Sequence, residues 1–92
     1  MTQDKIIELT QAMQTLLLEK NKRYGDSAIN PKQVFSKLNA SEAIKIRLDD
    51  KLSRVINSEE LRTNDICDLI GYLFLLLISS NVTENDIINL ID

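Results

Sequence analysis

Apolar residues recur at helical spacing in three separate stretches, and no segment sustains the period-two alternation of a half-buried strand. Ile6, Leu9, Met13, Leu16 and Leu17 form the first series and predict a helix from Asp4 to about Lys22. Tyr24-Gly25-Asp26-Ser27 and Asn30-Pro31 then supply turn chemistry, so residues 23–32 read as a connecting loop. Gln33 to Leu38 can form a short helical turn that carries Val34, Phe35 and Leu38 to the core. Asn39-Ala-Ser-Glu42 has the form of a capping box, and a second helix follows from about Ala40 to Ile56 with Ile44, Leu48, Leu52 and Val55 as its apolar line. A third helix is expected from Thr63, whose hydroxyl can cap free amides, to about Ser80, where Asn81 ends it. Thr83 then caps a short last helix with Ile87, Ile88, Leu90 and Ile91.

The fold class that follows is all-α: one domain over residues 1–92, a compact bundle of three long helices and one short one. Leu69 to Ile78 is apolar nearly all round, so protein should surround it. A chain of 92 residues buries only roughly 60–65% of its unfolded surface. A second subunit is therefore the expected source of cover, with the third helix at the centre of a homodimer or higher homo-oligomer.

Composition narrows the chemistry. The chain has no histidine, which removes imidazole general-base catalysis and imidazole metal ligation. Its single cysteine, Cys67, excludes an internal disulfide, fits a reducing compartment and reads as a small core residue. No basic segment precedes an apolar run with a cleavage pattern, and the longest apolar run is too short to span a bilayer, so a cytoplasmic location is expected. A net charge of −3 argues against general nucleic-acid binding.

What remains is a cluster of charge on the second and third helices. Asp65 and Asp68 are i,i+3 neighbours on one stripe with Leu69, Tyr72 and Leu76, close enough to share a cation. On the second helix Asp49 flanks the apolar line beside Glu42 and Lys45, and Asp50 lies opposite, near Arg47 and Arg54; helical spacing does not say which faces the third helix. Arg47, Lys51 and Arg54 flank these acids. Oxygen-only ligands of this kind suit Mg²⁺ or Mn²⁺ completed by water and phosphate. Equally, the acids can serve as ion-pair partners and as complements to the helix dipole. After the first helix, Lys20-Asn21-Lys22-Arg23-Tyr24-Gly25-Asp26-Ser27 offers cations, an amide and an aromatic ring to a phosphorylated nucleoside, or a helix C-terminus with Gly25 as its stop. No Walker-type glycine loop is present.

Four pieces in order carry a resemblance: Lys20-Asn-x-x-Tyr24-Gly-Asp-Ser27, Pro31-x-x-Val34-Phe35, Ile44-x-x-Arg47-Leu-Asp-Asp-Lys-Leu-Ser-Arg54 and Asp65-x-x-Asp68-Leu-Ile-Gly-Tyr-Leu73. Over roughly residues 20–78 the chain resembles the nucleotide modification associated domain 1 group of phage and prophage proteins. That group in turn looks like the MazG-like all-α nucleoside triphosphate pyrophosphatases, oligomers that hold Mg²⁺ through E-x-x-E and E-x-x-D motifs on successive helices. The resemblance implies a phage-type protein acting on or holding a (deoxy)nucleotide in the bacterial cytoplasm. In an enzyme, Asp50, Asp65 and Asp68 would be catalytic, and Asp49, Asp50, Asp65 and Asp68 would supply the metal ligands. Lys20, Asn21, Arg47, Lys51 and Arg54 would meet the phosphates, with Tyr24 or Tyr72 on the nucleoside. The first acid of the first motif has no counterpart, because Ile46 and Arg47 occupy its place. An arginine there weakens a second cation site and adds a bidentate phosphate donor. The alternative is a non-enzymatic protein that sequesters a nucleotide or binds a host partner protein.

Overall fold

The computed structural model describes residues 1–31 and 37–92. The regular elements among them are all helical: α1 (Thr2–Arg23), α2 (Ala40–Asn57), α3 (Thr63–Ser79) and the short α4 (Glu84–Ile88). No described helix is long and apolar enough to cross a membrane. The expected turn over 33–38 falls largely outside the described residues, Val34 and Phe35 included; Leu38 itself is exposed.

Helix ends sit where local chemistry demands. The Asn39 side chain accepts the Glu42 N–H at 2.9 Å and starts α2. Glu42 does not complete the box; its carboxylate takes Lys45 at 3.3 Å. Thr83 does form the full reciprocal box, with Asp86. α3 departs from expectation. Thr63 is its first helical residue, Arg62 holds the cap position, and no side chain caps the free amides. The C-termini of α1 and α3 close alike. Gly25 donates to the Lys22 carbonyl at 3.4 Å and Asp26 to the Asn21 carbonyl at 3.1 Å. Asn81 and Val82 repeat the pattern on the Ile78 and Leu77 carbonyls. Gly25 and Asn81 both have φ of 60°, the left-handed position that glycine and asparagine tolerate.

α2 and α3 pack as an antiparallel pair. At one end the Ser41 and Ser79 hydroxyls meet at 2.8 Å, and at the other Lys51 reaches the start of α3. Ile44 and Leu48 are the buried apolar side chains of this interface. The inward line of α2 is Ile44, Leu48, Lys51 and Val55, and not the all-apolar line read from sequence: Leu52 is 46% exposed while the Lys51 side chain is 14% exposed. With about 100° per residue, Ile44, Leu48, Lys51 and Val55 share an arc of about 60° with Lys51 at one edge, and Leu52 lies about 40° beyond Leu48 on the other side. α1 crosses α3 where Gly71 has no side chain; a Cβ there would stand 3.0 Å from Leu17 Cδ2, so the glycine permits the close approach. The outer face of α3 is uncovered, with Leu73, Phe74, Leu77 and Ile78 all exposed.

Candidate functional site

Three helices converge on the first turns of α3. Asp65 and Asp68 project from it on one stripe, Lys51 comes across from α2, and Lys20 comes from the last turn of α1. Lys51 Nζ lies 2.8 Å from Asp68 Oδ2 and 3.8 Å from Asp65 Oδ1. Lys20 Nζ donates to Asp68 Oδ1 at 3.1 Å, and Arg62 Nε stands 3.5 Å from Asp65 Oδ2. Each of the four carboxylate oxygens therefore faces a cation of the chain itself. Asp65 is 5% exposed, and a carboxylate at that depth requires such partners. Arg62 is a site residue beyond those expected from sequence, although its i,i+3 spacing to Asp65 marks it as a partner.

Burial pushes the Asp68 carboxyl up, but hydrogen bonds from Lys51 and Lys20, and the charges of both, outweigh it and hold the group below its ordinary value of 3.8.

Beside this network lies a cavity of about 710 Å³, bounded by α1, the loop after it, α3 and one residue of α2. Its polar lining includes Lys20, Asn21, Tyr24, Arg47, Asp68 and Tyr72, six of the residues named from sequence. Leu17, Phe74 and Leu75 give it apolar walls, and Gly71 and the half-buried Cys67 also border it. Ser27 and Asp26 close it from the loop side, where Asp26 accepts the Asn30 amide at 2.6 Å. Among its charged groups, Lys20 and Asp68 pair with each other, whereas Arg47 has no ion-pair partner among the described residues. Arg47 is thus the cation free to meet an anionic ligand.

The remaining sequence candidates lie elsewhere. Asp49 and Asp50 are exposed on α2 and form no ion pair among the described residues, neither with α3 nor with Lys45 or Arg54. Arg54 is exposed and outside the cavity lining. No three acidic or cysteine side chains among the described residues are grouped where they could hold a metal ion. The oxygens of Asp65 and Asp68 are already turned onto ammonium and guanidinium groups, so the donor set does not fit the Mg²⁺ that the resemblance implies.

No family model matches the chain, and no curated protein or solved structure shows significant similarity to it.

Because the Asp68 carboxyl is held below its ordinary value in the folded state, its contribution to stability is present above the unfolded value near pH 4 and is lost as pH falls through the folded one. Urea unfolding followed from pH 6 to pH 3 should show the wild-type chain losing stability below about pH 4. Asp68→Asn should be less stable at pH 6 and should flatten that decline; an unchanged acid limb would contradict the pairing.

Proposed function

We propose that the cavity binds a phosphate-bearing small molecule, best satisfied by a (deoxy)nucleotide. The observation that carries this reading is the convergence of Arg47, Lys20, Asn21, Tyr24 and Tyr72, from three helices, on one partly apolar space. Its volume lies within the roughly 300–1,000 Å³ of small-molecule sites. Arg47 offers a planar, bidentate donor to phosphate, and Lys20 a second charge if the ligand draws it from Asp68. Tyr24, exposed at the rim, and the half-buried Tyr72 offer ring faces to a base.

Binding without turnover is the form favoured. Pyrophosphohydrolysis through Mg²⁺ or Mn²⁺ on Asp49 or Asp50 with Asp65 and Asp68 is the enzymatic alternative, and it needs a rearrangement that frees the paired carboxylates. Titration calorimetry with a panel of (deoxy)nucleoside mono-, di- and triphosphates, run beside a pyrophosphate-release assay, separates the two. Binding without release supports retention, release supports the enzyme, and no binding to any member would sink the reading. Arg47→Ala should weaken the best ligand about tenfold or more while leaving the far-ultraviolet circular dichroism unchanged.

We also infer a homodimer or higher homo-oligomer. The chain exposes 7857 Å², whereas a folded monomer of this mass should expose about 5,400 Å². Two copies covering the difference would bury roughly 4,800 Å² in total, the scale of an obligate interface. Leu73 and Leu77, one turn apart on the open face of α3, belong to that difference. Light scattering should return at least twice the 10.5 kDa chain mass, and Leu73→Glu with Leu77→Glu should abolish the assembly. A wild-type monomer would contradict the inference.

A further inference from the structure

We propose that Lys51 is the built-in counter-cation of the Asp65–Asp68 pair, standing where the resemblance would put a divalent metal, and that ligand binding in the adjoining cavity is consequently metal-independent. The second half rests on the nucleotide reading above; the first does not.

Lys51 lies on the inward arc of α2, one turn after Leu48 and one turn before Val55, and its side chain is only 14% exposed. A lysine is almost never placed there unless its charge is used. Its ammonium contacts both carboxylates, at 2.8 Å and 3.8 Å. Lys20 and Arg62 occupy the outward oxygens at 3.1 Å and 3.5 Å. Mg²⁺ binds carboxylate oxygen at about 2.0–2.1 Å and demands a near-octahedral shell. Such an ion on Asp68 Oδ2 would lie against the Lys51 ammonium in a part-buried site where like charges repel strongly. Entry therefore requires Lys51 to leave. The network carries three cations against two carboxylates, an excess of one positive charge, and Arg47 beside it, with no ion-pair partner among the described residues, adds to that excess. An anionic ligand meets a compensated site without importing a metal.

The test titrates Mn²⁺ into the ligand-free chain, with free Mn²⁺ read by electron paramagnetic resonance. The wild-type chain should bind Mn²⁺ only in the millimolar range or weaker. Lys51→Met, which keeps the aliphatic stem, should bind about tenfold tighter or more, and adding Asp68→Asn should reverse that gain. Micromolar binding by wild type, or no gain in Lys51→Met, overturns the assignment. Should Lys51→Met fail to fold, the wild-type Lys51 side-chain ammonium resonance decides: it should stay in place in 1 mM Mg²⁺, on the order of cellular levels, and its displacement overturns the proposal. For the second half, nucleotide affinity in Mg²⁺ and in EDTA should agree within about twofold. Affinity lost in EDTA overturns metal independence. No nucleotide binding in either buffer removes the nucleotide reading and leaves the Mn²⁺ titration to judge Lys51.

Discussion

The ion chain Lys20–Asp68–Lys51–Asp65–Arg62 is the interaction on which the rest of the arrangement depends, because it is the place where α1, α2 and α3 are held by directional contacts at once. Few apolar side chains are fully buried. Ile44 and Leu48 are the buried apolar side chains between α2 and α3, and α1 has no buried residue at all. Lys51, Asp65 and Asp68 are the part-buried members, where removing one partner strands a charge, while the more exposed Lys20 and Arg62 add little. The Lys20–Asp68 pair and the close approach of Leu17 to Gly71 join α1 to α3 beside the cavity, which all four residues border.

Much of the fold was legible in the sequence. Capping and stop residues at Asn39, Gly25, Asn81 and Thr83 act through local backbone hydrogen bonds, so a short window contains the physics that sets them. Tertiary placement was harder. The second-helix partner was open between Asp49 and Asp50, and the structure brings neither to α3; the residue that crosses is Lys51. Its position between Leu48 and Val55 was readable, but an apolar-line reading prefers Leu52. Only the facing carboxylates make a lysine the better inward residue. Asp65 and Asp68 were placed together by their i,i+3 spacing, whereas whether they hold a metal or an ammonium depends on a helix more than a dozen residues away.

The two functional expectations also separate physically. A phosphate site needs cations and donors around a space large enough for the ligand, and Arg47, Lys20 and Asn21 around the cavity supply them. A metal site needs free carboxylate oxygens at close range, and the lysines take them. Arg47 fits the first requirement and works against the second. On the open apolar face of α3, Phe74 and Ile78 border the cavity, whereas Leu73 and Leu77 lie outside its lining.

Lys51 and Asp68 hold one another across the α2–α3 interface. A double-mutant cycle of Lys51→Met and Asp68→Asn, with stabilities from urea unfolding at neutral pH, measures this directly. A favourable coupling of roughly 1–3 kcal/mol is expected between the two part-buried groups. Additive effects, with coupling below about 0.5 kcal/mol, would contradict it.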